Sequence, residues 1–326
     1  MEFRQQAVAR RGELGAEIVA LRAENAALAE RGALSAALTA ELQSALTEVH
    51  NRLAGRLELL TSEVNDMNRR AYSAGQQDGS DETRRLYLDL LQSALTGVLA
   101  RDGNAAPWAP EEYDPERRLH GSDWPKSALT MIGTARMRNL RRLVETVLVE
   151  GIAGDLLEAG AWRGGACVYM RGILAAYGEK DRTVWVADSF AGLPKPDERL
   201  YPADQGDPHH TFDELRVSLD EVKDNFKRFG LLDEQVAFLQ GWFKDTLPQA
   251  PIAKLAILRL DGDMYSSTIQ TLDALYDKVA PGGYVIIDDY ILKACRQATD
   301  DFRAGRGIIE AIQDIDGAGV YWRKVR

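Results

Sequence analysis

Basic charge, cysteine and long apolar runs are all scarce in this chain. Its 326 residues carry 40 Lys and Arg against 50 Asp and Glu, a formal net charge of −10. A nucleic-acid or anionic-membrane partner would want a basic face, so neither is expected. The two cysteines, Cys167 and Cys295, have no Cys or His neighbour at metal-ligand spacing. They read as reduced thiols, which excludes a disulfide framework and a zinc site. No apolar run reaches the length of a membrane span, and the first residues, MEFRQQAVARRGEL, lack the apolar core of a secretory signal. The expectation is a soluble, cytoplasmic protein.

A further absence divides the chain. Between Phe3 and Tyr72 there is no aromatic residue and no proline. Such a stretch forms helix readily but lacks the bulk of a globular core. Leu14, Ile18, Leu21, Asn25 and Leu28 recur at heptad spacing, with Ile18 and Asn25 at a. A single Asn at a sets register and favours a dimer. The seam falters at Gly32 and resumes from Leu42 to Met67. Residues 1–72 therefore read as a helical coiled coil making a homo-oligomer; the alternative is an amphipathic hairpin packed on the rest of the chain. A polar linker at 73–81 follows, with Asp81 placed to cap the next helix. Residues 82–150 form a helical and loop-like lead-in, proline-rich over 101–126.

From 151 to 326 short apolar runs alternate with helical segments: DLLEAG, TVWVADSF, VAFLQGW, LAILRLDGD and GGYVIIDDY, then a pair near AIQDI and VYWRKV. This alternation specifies an α/β fold with a doubly wound, mostly parallel sheet. Ligands of such sheets bind beyond the carboxyl ends of the strands. The first run ends in Glu158 and a turn containing Gly160, Gly164 and Gly165, which lets a ligand approach the backbone closely. An acid ahead of the glycines disfavours a pyrophosphate and suits the cationic S-adenosylmethionine. The second run ends in Asp188 and Ser189, where a carboxylate can accept both ribose hydroxyls. The third ends in Gly241, Trp242 and Phe243, offering an aromatic ring to adenine.

The fourth and fifth runs end in Asp261 and Asp263, and in Asp288 and Asp289. As neighbouring strands they would gather these acids within a few ångströms. Like charges so close repel or take up protons unless a cation sits among them. An all-oxygen ligand set suits Mg²⁺ or another hard divalent ion. The competing reading makes Asp263 and Asp288 ordinary helix or turn caps. Between the second and third strands lies a long polar segment, 194–218, read as a lid over an acceptor. It holds His209 and His210, either of which is a candidate substrate contact or base.

The motifs EAGAWRGGACVYMRG, ADSFAGLP, GWFKDTLP, LDGDMYSST and GGYVIIDDY, with LYLDLL, DWPKSALTMIG and VYWRK, resemble those of the macrocin O-methyltransferase (TylF-type) family from about residue 82 onward. The resemblance implies a Rossmann-like class I methyltransferase fold and methylation of sugar hydroxyls on antibiotic glycosides with S-adenosylmethionine and Mg²⁺. It implies Asp261, Asp288 and Asp289 as metal ligands and Asp261 as the base. It further implies Glu158, Asp188 and the Trp242 region as the cofactor site, with Thr130 and Met131 of the TMIG motif beside it. The N-terminal extension departs from this pattern and leaves a longer glycan or lipid-linked saccharide open as acceptor. Two other readings compete: a metal-dependent methyltransferase of a catechol-like diol, and a non-catalytic coiled-coil scaffold with a vestigial domain.

Overall fold

The computed structural model describes residues 79–325. The chain divides between Asp78 and Gly79, and the heptads fall in the first unit, outside the described residues. The second unit opens with helix α1 (Gly79–Leu95). Asp81 lies in its first turn and pairs with Arg84 at 2.7 Å, so the helix begins two residues before its expected cap. The proline-rich stretch holds a short helix the sequence reading missed, α2 (Pro115–His120). Asp114 caps it by accepting from the Glu116 and Arg117 amides, and Pro115 opens it, where a missing N–H costs nothing. Helix α3 (Gly133–Val149) leads into the sheet.

The remaining elements alternate as expected. They are β1 (Asp155–Ala159), α4 (Gly165–Ala176), β2 (Val184–Asp188), α5 (Leu219–Arg228) and β3 (Val236–Gln240). Then come α6 (Phe243–Thr246), β4 (Leu255–Leu260), α7 (Tyr265–Leu275), β5 (Val279–Ile287), α8 (Lys293–Arg306), β6 (Gln313–Asp314) and β7 (Val320–Arg323). The sheet order is β3-β2-β1-β4-β5-β7-β6. The first five strands run parallel, and β7 is antiparallel to both β5 and β6.

Alternate strand residues feed two cores, one on each face of the sheet. Leu156, Val184, Val186 and Ile257 pack with α1, α3, α4 and α5. Leu157, Leu258, Leu260, Val285 and Ile287 pack with α7 and α8. The lead-in belongs to the first core: Leu88, Leu91 and Leu95 of α1 are buried against α4. Their approach is close, since a Cβ on Gly172 would come within 2.3 Å of Leu91. No helix among the described residues is long and apolar enough to cross a membrane.

Candidate active site

The order of the sheet puts the tips of β1, β4 and β5 side by side. Gly160 adopts φ +95°, and a Cβ there would lie 1.7 Å from the Asp261 carbonyl oxygen. Only glycine lets the β1 turn and the β4 tip touch in this way. Glu158 and Arg259 are register partners across β1 and β4, so their side chains share a face. Arg259 is 1 % exposed, a guanidinium inside a strand whose six residues are all buried. It donates to Glu158, to Asp288, and to Asp261 Oδ2 at 2.9 Å. A second arginine, Arg136 of α3, donates to Asp288, to Asp316 at 3.1 Å and to the His120 carbonyl at 3.1 Å.

Two expectations change here. The strand-tip acids are not without counter-charge, because two buried arginines sit among them. Glu158, expected to face the cofactor, is 1 % exposed and already engaged by Arg259 and by the Cys167 thiol, which donates to it at 2.8 Å. Burial pushes the Glu158 carboxyl up to about 7 against the opposing pull of Arg259. Burial likewise lifts the Cys167 thiol well above its usual range, so it remains a donor.

The arginines still leave part of the charge unanswered. Among the described residues no Lys or Arg forms an ion pair with Asp263 or Asp289. Burial first, then Asp263 and Asp261, push Asp289 well above the usual carboxylate range. Burial pushes Asp263 up to about 7, with His209 pulling the other way. Asp263 holds a left-handed φ of 59°, uncommon for a residue with a Cβ, and its amide donates to Asp289 Oδ2 at 3.0 Å. One oxygen from each of Asp261, Asp288 and Asp289 lies within 4.8 Å of the others. That spacing and an all-carboxylate donor set fit a hard divalent ion, whose ligands stand at about 2.0–2.6 Å.

Asp188, at the β2 tip, braces the glycine turn. Its Oδ2 accepts from the Ala161 and Trp162 amides at 2.8 and 3.3 Å, and its Oδ1 from the Phe190 amide at 2.8 Å. Trp162 and Phe190 both take left-handed backbone there, at φ 47° and 54°. Burial raises the Asp188 carboxyl, and these amide bonds restrain the rise.

A cavity of about 740 Å³ opens over the strand tips. Of the residues singled out in the sequence, Met131, Gly160, Asp188, Ser189, Gly241, Trp242, Asp261, Asp288, Asp289 and His209 wall it. Thr130, Glu158, Gly164 and His210 do not. Thr130 is buried and packs where α4 begins. Gly164 precedes the first turn of α4, where a Cβ would lie 2.9 Å from Val222. His210 turns its Nδ1 toward the Asp207 carbonyl, 3.2 Å away. His209 is held otherwise: its Nδ1 lies 2.9 and 3.0 Å from the two Asp207 oxygens, a contact that raises its pKa against the effect of burial. That contact fixes the tautomer and leaves Nε2 as its other functional atom.

The 194–218 segment, expected to be a lid, is tied to the rest of the unit at two points. Asp204, 1 % exposed, accepts from the Tyr265 and Ser266 amides at 2.7 and 3.0 Å. It thus caps α7 from a distance, a service that Met264 at the cap position cannot perform. On the other side the Trp162 indole donates to the Glu214 carbonyl at 2.8 Å. The outer wall is aromatic. Trp108 and Trp124 meet edge to face at 4.8 Å, Trp124 and Phe212 at 5.8 Å, and Phe212 and His209 at 5.8 Å. The sequence reading singled out none of Arg136, Arg259, Asp204, Trp108, Trp124 and Phe212. Only Arg259 carried a signal, as the lone charge in an otherwise apolar central strand.

Comparison with known proteins identifies the family. Residues 74–324 match the family described as macrocin-O-methyltransferase (TylF). A demethyldecarbamoylnovobiocin O-methyltransferase of Streptomyces niveus is 50 % identical over 246 residues, 74 % of this chain and 94 % of that protein. The 8-demethyl-8-(2,3-dimethoxy-α-L-rhamnosyl)-tetracenomycin-C 4′-O-methyltransferase of Streptomyces olivaceus is 48 % identical over 246 residues, 75 % and 94 % of the two chains. The solved structure of the O-methyltransferase NovP superposes with a TM-score of 0.71 at 51 % identity, covering 74 % of this chain and all of that one. The sheet is thus that of a class I methyltransferase, and this chain, an S-adenosylmethionine-dependent O-methyltransferase, belongs to the macrocin O-methyltransferase family.

Proposed function

We propose that the chain methylates a sugar hydroxyl of a natural-product glycoside, with a divalent cation held by Asp261, Asp288 and Asp289. The observation that carries this reading is the contact of Gly160 with the Asp261 carbonyl. It sets the cofactor turn directly against three acids whose oxygens lie within 4.8 Å of one another. The name of the Streptomyces olivaceus relative supplies the acceptor class, a rhamnosyl-bearing molecule.

A divalent cation bound there lowers the pKa of a hydroxyl that reaches it. The rest of the chemistry falls to residues of the chain. Arg259 engages Asp261 through Oδ2 alone, and the carboxylate takes the hydroxyl proton as general base. The acceptor oxygen bonds to the methyl carbon as the carbon–sulfur bond breaks. The electron pair passes to sulfur and S-adenosylhomocysteine leaves. Asp188 and the Gly160 turn orient the donor, and orientation supplies much of the rate because the methyl is already activated. His209 is the second candidate for the base, favoured over His210 because it walls the cavity and Asp207 fixes its tautomer.

The test is transfer of labelled methyl to simple 6-deoxyhexosides, with and without chelator. Turnover that needs added Mg²⁺ supports the reading. Full turnover of metal-stripped enzyme in excess chelator overturns the cation and moves the base to His209. The heptads of residues 1–72 we assign to self-association rather than chemistry.

A further inference from the structure

We propose that Trp108 and Trp124 form the subsite for a flat aromatic aglycone, so that the acceptor is an aryl glycoside; this rests on the sugar-hydroxyl reading above. The rings form a continuous path. His209, which feels the charge of Asp263, contacts Phe212, Phe212 contacts Trp124, and Trp124 contacts Trp108. One end of the path is therefore at the acids and the other is in solvent, where Trp108 is 59 % exposed. All four rings wall the same cavity as Asp261 and Asp289. A sugar bound at the acids would direct its anomeric substituent along this path.

The platform is built rather than incidental. Asn104, 1 % exposed, organises both tryptophans. Its Nδ2 donates to the carbonyls of Ala106 and Ala109, at 2.9 and 3.0 Å, on either side of Trp108. Its Oδ1 accepts from the Ala106 amide at 2.9 Å and from the Trp124 amide at 3.0 Å. One buried side chain thereby sets two loop segments against each other, and pre-ordered aromatics bind at low entropic cost. A free tryptophan at a cavity mouth with no such support would only be an exposed apolar residue.

The side chains beside the rings choose between an aryl group and a second sugar. Pro208 and Leu215, which flank His209 and Phe212 on the lid, and Met131 also wall the cavity. None carries a side-chain hydrogen-bond donor; besides His209, the polar side chains of the 194–218 segment in the wall are Lys195, Asp197 and Tyr201, from its earlier part. A sugar subsite sets polar groups around the ring edge to satisfy hydroxyls that would otherwise be buried unpaired. An aromatic aglycone makes no such demand and gains from edge-to-face or offset stacking.

The experiment compares 4-nitrophenyl and methyl α-L-rhamnoside as acceptors, by turnover and by calorimetry on the enzyme loaded with S-adenosylhomocysteine. The wild type should favour the aryl glycoside roughly tenfold in kcat/KM and in affinity, the scale of one good aromatic contact. Trp108→Ala should abolish that ratio, mainly through KM, and Trp108→Phe should retain most of it. Equal use of the two glycosides by the wild type overturns the proposal. So does an equal loss on both in Trp108→Ala, or a rhamnose disaccharide used better than the aryl glycoside. If neither glycoside is methylated but the aryl one binds in a Trp108-dependent way, the subsite stands and the sugar-hydroxyl reading fails. If neither binds nor reacts, both fail.

Discussion

The two walls of the cavity are organised by opposite means. The inner wall, at the tips of β1, β4 and β5, is held by charge: Arg259 and Arg136 bridge Glu158, Asp261, Asp288 and Asp316 inside a buried sheet. The outer wall is held by shape, with Trp108, Trp124 and Phe212 meeting edge to face over loops fixed by Asn104. The inner wall is buried and ion-paired, and it holds the acids to which the proposed chemistry falls. The outer one comes from three loop segments, around Trp108, Trp124 and Phe212, none of which is part of the sheet. On the roles proposed above, chemistry and choice of acceptor would fall to different parts of one cavity.

The sharpest way to break that contrast is to remove the inner counter-charge. Arg259→Met leaves Glu158, Asp261 and Asp288 buried without their shared partner. It should cost about 3–5 kcal/mol in denaturant unfolding, the scale for breaking a buried ion pair from one side. A loss under about 1 kcal/mol would mean that charge does not organise this wall. Next in size, Asp261→Asn keeps the shape but removes the base and one ligand charge. It should lower kcat at least ~10²-fold while leaving affinity for S-adenosylhomocysteine largely intact. Calorimetry separates the two effects, and an equal loss of cofactor binding would merge functions held apart here. Asp188→Ala should weaken S-adenosylhomocysteine roughly tenfold or more, because the carboxylate braces the Ala161, Trp162 and Phe190 amides as well as facing the cavity. Unchanged affinity would remove Asp188 from the cofactor site. The smallest expected effect lies outside both walls. A chain beginning near Ser80 should scatter light as a smaller assembly and turn over at the full rate. Lost turnover would give the heptads a share in the active site.

The glycine and the acids of the strand tips were legible in the sequence because each tip is contiguous, whereas the arginines that pair with the acids were not singled out. Gly160, Asp188, Asp261 and Asp289 each sit one or two residues beyond an apolar run, and sheet order alone brings them together. The surroundings of Glu158 were not legible. Its position at a strand tip is visible, but the partner it meets depends on its register with Arg259, which no motif displays. The outer wall was illegible because its contacts join segments remote in sequence. Nothing local in the residues around Trp124 points to Phe212, and the Asn104 bonds depend on loop paths that periodicity does not describe. The same blindness hid α2, whose Asp114–Pro115 start lay within a stretch read as proline-rich loop.

Asp204 bears on how the enzyme would breathe between turnovers. Its two oxygens cap α7, and α7 begins just beyond the turn that carries Asp261 and Asp263. Raising this part of the lid strips two amides of their acceptor, at about 1 kcal/mol for a lost cap. The same movement frays the helix that steadies the acids. The placement of this segment and the order of the first turn of α7, next to the turn that carries Asp261 and Asp263, are therefore joined through one carboxylate.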